Sequence, residues 1–190
     1  MISIVTATIG RPHLERVVEN VNAQTLTDWE HVIVFDGVVP QKYEHPQRTV
    51  VHIEKSKNDH GKSPQNIGII ASRGEFITIF DDDNEWLSNH LECMMKPFEV
   101  DAEVQIVFCP LTMIHYNNNN FREERHFSIS QGKVDAGNWV ARKELLLKYG
   151  LFWAPHRRSY DWEMLKKIFA ANEKYAVIPE RTFLYFTPKP

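Results

Sequence analysis

Two hydrophobic periods alternate along the first hundred residues of this chain, and the switches between them mark out its elements. Ile2 to Ala7 is a near-continuous apolar and β-branched run, the pattern of a strand. Arg11-Pro12 then opens a helix, with Leu14, Val17, Val18, Val21 and Leu26 recurring at helical spacing. His31 to Phe35 is a second strand, ending at Asp36-Gly37. After a loop holding Pro40 and Pro46, Thr49 to Ile53 forms a third, short strand. Polar residues Glu54 to Lys62 lead into a helix around Pro64 to Ser72, with Ile67, Ile70 and Ala71 on its buried side and Arg73-Gly74 as its stop. Phe76 to Phe80 reads as a fully buried strand and Ser88 to Phe98 as a helix. Strand, helix, strand, strand, helix, strand is the order of a nucleotide-binding α/β half.

The second half is less regular. Val104 to Cys109 and Leu111 to Tyr116 pattern as strands, and Asn117 to Asn120 as a hairpin or loop tip. Phe127 to Ile129 and Asn138 to Ala141 are short strand candidates. Arg142 to Tyr149 reads as a helix closed by Gly150. Asp161 to Ala171 is a clearer helix, carrying Met164, Leu165, Ile168 and Phe169 on one side, and Tyr175 to Ile178 and Thr182 to Thr187 close the chain as strands. No repeat or linker interrupts the pattern, so 190 residues are expected to form one domain.

Composition narrows the classes of function. An apolar fraction of 43% and a charged fraction of 25% are those of a soluble globular protein. A net charge of −3 gives no general attraction to nucleic acid or to anionic membrane. No apolar run is long enough to cross a bilayer. Met1 to Ile9 lacks the basic lead of a signal peptide, and Cys93 and Cys109 have no metal-type spacing, so a reducing, cytoplasmic setting is expected.

The chemistry concentrates where strands end. Phe76 to Phe80 stops at three consecutive carboxylates, Asp81, Asp82 and Asp83. Adjacent like charges repel, and they become favourable when a divalent cation sits among them, because hard cations take carboxylate oxygens. If the first-half strands are parallel, Thr6-Ala7-Thr8, Asp36-Gly37 and the Asp cluster share one edge of the sheet, where α/β proteins bind ligands. Asp36 there suits a base N–H or a ribose hydroxyl, or it simply turns the chain before Gly37. His60-Gly61-Lys62-Ser63-Pro64-Gln65-Asn66 opens a helix whose N–H groups, with Lys62, could face phosphate, although P-loop spacing is absent. Late in the chain Arg157-Arg158-Ser159-Tyr160-Asp161-Trp162-Glu163 sets guanidiniums beside carboxylates and aromatics. Asp161 is there either a helix cap or a general base for an acceptor hydroxyl. Glu163, two residues on, points elsewhere on a helix.

In register over most of the chain, these pieces resemble the family 2 glycosyltransferases. The matching pieces are Ser3-Ile4-Val5-Thr6-Ala7-Thr8, Val32-Ile33-Val34-Phe35-Asp36-Gly37, Pro64 to Ile69 with Ala71 to Ile77, Phe80-Asp81-Asp82-Asp83-Asn84-Glu85-Trp86, Asp135 to Lys143, and Gly150 through Glu163. The resemblance implies a GT-A fold: a Rossmann-like mixed sheet flanked by helices, with a small second sheet on the acceptor side. Residues 1–100 would form the nucleotide-sugar half and 101–190 the acceptor half. It implies inverting transfer from a nucleoside diphosphate sugar, with UDP favoured, to a glycan, lipid-linked or protein acceptor. Thr6, Thr8 and Asp36 would hold the nucleoside, Asp81 or Asp82 would lie near ribose or uracil, Asp83 would bind Mn²⁺ or Mg²⁺, and Asp161 would be the base. Arg11, Lys62, Gln65 and Asn66 join the donor contacts. Asn138, Trp139, Arg158, Trp162 and Glu163 are placed on the side of the acceptor and donor sugar.

Two departures stand out. Gln65 occupies a position where relatives often carry Arg, with Lys62, Arg157 or Arg158 as replacements for that charge. The chain also ends soon after the Asp161 helix, where many relatives continue. Three other readings compete: a haloacid-dehalogenase-type phosphatase with Asp81 as nucleophile and Asp83 as acid, which Glu85 disfavours, a nucleotide-sugar or glycan-binding module without catalysis, and a nucleotidyltransferase, whose glycine-rich signature is absent from the sequence.

Overall fold

The computed structural model of the protein describes residues 1–40, 43–117, 120–126, 128–130, 134–152 and 160–187. Its first half runs β1 (Ile2–Thr8), α1 (Leu14–Asn22), β2 (Trp29–Asp36), β3 (Arg48–Ile53), α2 (Lys62–Ala71) and β4 (Phe76–Ile79). There follow β5 (Glu85–Trp86), α3 (His90–Val100), β6 (Ile106–Phe108), β7 (Leu111–Asn117) and β8 (Asn120–His126). A 3₁₀ turn at Ala136–Asn138 precedes β9 (Trp139–Arg142), α4 (Lys143–Lys148), α5 (Tyr160–Ala170), β10 (Tyr175–Val177) and β11 (Phe183–Thr187).

A seven-stranded sheet has the order β10-β6-β9-β4-β1-β2-β3, and a second sheet the order β5-β11-β7-β8. β1 is parallel to both β2 and β4, and β2 to β3, so the three strand ends read from the sequence do lie along one edge. β9 runs antiparallel between β4 and β6, which makes the sheet mixed. Period-two alternation sends β1 and β2 side chains to opposite faces. Ile2 and Ile4 pack with Val17 and Val21 of α1 and Leu91, Met94 and Phe98 of α3. Val5, Val32 and Val34 pack on the other face with Ile69 of α2, Leu145 of α4, and Met164, Leu165 and Ile168 of α5.

Helix α1 buries Leu14, Val17, Val18 and Val21 as its spacing predicts, but it begins after Pro12 and ends before Leu26. The expected face of α2 is corrected. Ile70 is 60% exposed, and the buried residues are Pro64, Gln65, Asn66, Gly68 and Ile69. The reason is Gly68: a Cβ there would strike Val5 and Val34, so the helix lies against β1 and β2 at its glycine and rotates Ile70 outward. The polar β8 pairs with β7 through the foreseen hairpin, Asn117 opposite Asn120. The expected strand at Phe127 to Ile129 is not found; Phe127 lies outside the described residues and 128–129 join no strand.

At the far end of the sheet from the Asp cluster, Glu30 ties β1, β2 and the turn after α2 together. It accepts from Ser3 Oγ (2.6 Å), Arg73 Nε (2.8 Å), Gly74 N (3.1 Å) and Arg73 N. The two sheets join through an aromatic stack in which Phe80 lies 3.8 Å from Trp86, and Trp86 lies 4.4 Å from His90.

Candidate active site

The C-terminal ends of β1, β2 and β4 open into a cavity of about 460 Å³. Thr8, Arg11, Asp36, Gln65, Asp81, Asp82 and Asp83 line it, together with Ser56, Asn58, Asp59, His60 and Gly61 from the loop before α2. That loop can close over β2 because Gly37, at φ +77°, has no Cβ; one would sit 2.6 Å from Ser56. Ser56 Oγ and Lys57 N then donate to the two oxygens of Asp36, at 3.1 and 2.9 Å. Asp36 is therefore pre-oriented at the rim, 6% exposed.

The acidic tip is ordered by its own partners. Thr8 Oγ1 donates to Asp82 Oδ2 at 2.8 Å, and Arg11 Nη1 approaches Asp82 Oδ1 at 3.2 Å and Asp83 Oδ2 at 3.5 Å. Gln65 Nε2 donates to Asp81 Oδ1 at 3.1 Å. These hard oxygen donors beside an aqueous cavity fit Mn²⁺ or Mg²⁺ chemically. Among the described residues no three His, Cys, Asp or Glu side chains converge as a ready-made cage. An ion held at Asp83 would take its other ligands from water and phosphate, the usual arrangement for Mg²⁺ at phosphate sites.

Several residues expected to meet the donor are instead enclosed. Thr6 is fully buried, its hydroxyl donating to Phe80 O at 2.8 Å and meeting His31 Nε2 at 2.9 Å. Asn66 is fully buried, with Oδ1 accepting from Phe152 N at 3.0 Å. Lys62 opens α2 half-buried and is not among the residues lining the cavity. The start of α2 also offers phosphate less than its sequence suggests. Asp59 accepts from Ser63 N at 3.1 Å, and Pro64 has no N–H.

On the acceptor side, Asn138 and Trp139 are corrected in the same sense. Asn138 Nδ2 donates to Cys109 O at 2.9 Å and its Oδ1 accepts from Asp135 N, closing the 3₁₀ turn, while Trp139 is wholly within the core. Arg158 lies outside the described residues. Glu163 pairs with Lys166 at 2.8 Å, and Trp162 packs at 6.3 Å on Phe169. Asp161 stands in the first turn of α5, its Oδ1 accepting from Trp162 N at 2.8 Å. Burial pushes its carboxyl up to about 6; the Trp162 N–H opposes this and the Asp135 charge adds to it.

The residue missed by sequence reading is Tyr160. Its hydroxyl lies 3.0 Å from both Gln65 Oε1 and His60 O, which joins the start of α5 to the cavity wall. Its only sequence signal is an aromatic immediately before the candidate base.

Fold and site together define a GT-A protein. The chain superposes on S. aureus TarS 1–349 in complex with UDP-GlcNAc with a TM-score of 0.77 at 15% identity, covering 100% of this chain and 59% of that one. On S. aureus TarS the TM-score is 0.75 at 14% identity, covering 98% and 36%. Residues 3–179 match Glycosyl transferase family 2, and the chain belongs to that family. An uncharacterized glycosyltransferase of Methanocaldococcus jannaschii is 22% identical over 209 residues, 99% of this chain and 71% of its own. One of Bacillus subtilis is 34% identical over 113 residues, 54% of this chain and 42% of its own. The chain thus spans less than half of the Bacillus relative and little more than a third of S. aureus TarS. Family membership sets aside the phosphatase reading. No described helix is long and apolar enough to cross a membrane.

Proposed function

We propose that this chain transfers a hexose-type sugar from a nucleoside diphosphate sugar, UDP-linked by preference, to an acceptor hydroxyl with inversion. The observation that carries the reading is the cavity at the ends of three parallel strands, into which Asp36 and Asp81 to Asp83 face. Asp36, held by Ser56 and Lys57, offers acceptor oxygens to a base N–H or a ribose hydroxyl. A preference for UDP draws on the UDP and UDP-GlcNAc complexes of S. aureus TarS. Asp83 would hold Mn²⁺ or Mg²⁺, which when bound neutralises charge on the departing diphosphate. Asp161 takes the acceptor proton. A base with a raised proton affinity accepts that proton more readily, while remaining ionised at neutral pH. As it gives up that proton, the acceptor oxygen attacks the anomeric carbon from the face opposite the diphosphate; the bond from that carbon to the diphosphate oxygen breaks, and the configuration inverts in one displacement.

Calorimetry with UDP and UDP-GlcNAc, with and without Mn²⁺, tests the donor half of this reading. Binding should appear in the presence of Mn²⁺ and be lost in Asp83→Ala. Equal binding with and without the ion removes the metal-dependent reading. Donor binding without turnover, unchanged by Asp161→Asn, would identify a binding module instead.

A further inference from the structure

Two consecutive buried amides of α2 hold the described residues on either side of 153–159. Asn66 Oδ1 accepts from Phe152 N, and Gln65 Oε1 faces the Tyr160 hydroxyl, each at 3.0 Å. Gln65 is 2% exposed and its other end donates to Asp81. A carboxamide has one donating and one accepting end. Because a carboxylate can only accept, Asp81 fixes the Gln65 nitrogen toward the cavity and its oxygen toward Tyr160, which must then donate. Gly61, whose φ of +85° is one that residues with a side chain rarely adopt, turns the loop beside this crossing; a Cβ there would lie at ordinary contact distance, 3.6 Å from Gln65 Nε2 and 3.8 Å from the Tyr160 oxygen. The same hydroxyl reaches the carbonyl of His60, whose φ of +61° is strained for a residue with a side chain. The Tyr160 ring is seated edge-on against Phe152 at 5.2 Å.

From this line we propose that Gln65 and Tyr160 are positioning residues that couple the donor cavity to the first turn of α5, so that a nucleoside diphosphate ordering Asp81 also orders Asp161. Neither touches the reacting atoms. Tyr160 is the residue immediately before Asp161, so loss of its hydroxyl frees the helix start from Gln65 and from the His60 carbonyl, while Ser56 and Lys57 still hold the cavity loop on Asp36. The proposal rests on the donor reading above, and its test separates the two.

Hydrogen–deuterium exchange is followed with and without UDP and Mn²⁺. In the native chain UDP should slow exchange in the cavity loop at 54–61 and also at 160–166. In Tyr160→Phe, which keeps the ring on Phe152, the loop should stay protected and the helix start should not. Transfer by this variant should show kcat lowered about tenfold with the donor KM within about twofold, the split expected of lost alignment rather than lost binding. Gln65→Leu should lose the same helix protection, and adding it to Tyr160→Phe should lower kcat little further, because both interrupt one connection. Protection confined to the loop in the native chain, or retained at 160–166 in Tyr160→Phe, overturns the coupling. Absence of protection anywhere means that UDP does not bind, and the donor reading falls together with the coupling.

Discussion

Asp161 is asked to do two things that conflict. A general base must be ionised, yet burial raises this carboxyl from 3.8 to about 6, so ionisation at neutral pH is costly. The folded state holds the proton more tightly than the unfolded chain, so this group favours the fold most below pH 4 and loses that contribution as pH rises through 6. At about 1.4 kcal/mol for each tenfold change in proton affinity, an ionised Asp161 costs about 3 kcal/mol above pH 7, from 3.8 and 6. Asp161→Asn should therefore abolish transfer, keep UDP binding, and raise Tm at pH 7.5, with the gain shrinking as pH falls through 6 and gone by about pH 3. The native rate should fall on the acid side with a midpoint near 6. An unchanged Tm at pH 7.5, or full activity at pH 5, contradicts the assignment. The sequence shows this residue but not its surroundings, because the burial comes from elements far apart in the chain. Thr6 and Thr8 make the same point: they share a face by the period of two, yet one sits about 7 Å deeper. Depth decides that Thr8 reaches the cavity while Thr6 is spent on Phe80 and His31.

At the scale of elements, the parallel half is legible because each strand is a continuous apolar run and each crossover helix has its own period. The face of α2 is misread because its closest contact is made by an absence. Gly68 contributes no side chain to a hydrophobic pattern, while Gln65 and Asn66 are buried by partners on other elements rather than by apolarity. The two-residue β5 is too short to carry a pattern, and β8 is polar because it lies at the edge of the second sheet. Placement of α2 sets the position of Gln65 against Asp81, so packing and binding are linked through one glycine. Gly68→Ala should cost about 1–3 kcal/mol by overpacking against Val5 and Val34. It should also weaken UDP binding although residue 68 is not among those lining the cavity. Urea denaturation and calorimetry on the same preparation check both; a stable variant with native UDP affinity would show that α2 tolerates the shift.

At the scale of the whole molecule, two wholly buried histidines make the fold sensitive to acid. His31, on β2 beside β1, meets Thr6 Oγ1 through Nε2. Burial, reinforced by the Arg48 charge, pushes it down to about 3. His90 stacks on Trp86 between the sheets, with Nδ1 2.7 Å from Thr182 Oγ1, and burial pushes it down to about 3 as well. Among the described residues, no hydrogen-bond partner faces the second nitrogen of either ring, so the fold has nothing ready to receive an added proton there. Both rings protonate at about 6.5 once unfolded, and the stability of neutral burial is complete above that pH and falls as pH drops toward 3. Asp161 works against them, since near pH 5 the folded state carries its proton and the unfolded chain releases it. Two protons gained at the histidines less one released at Asp161 leave about one net proton taken up by these three groups on unfolding, or about 1.4 kcal/mol per pH unit. Removing this carboxyl in Asp161→Asn should raise the uptake by about one proton and steepen the measured slope by about 1.4 kcal/mol per pH unit, since every other titrating group is common to both chains. Urea unfolding free energies measured between pH 4.5 and 5.5 decide this: equal slopes would show that Asp161 is not held protonated by the fold, and a steeper native chain would reverse the argument.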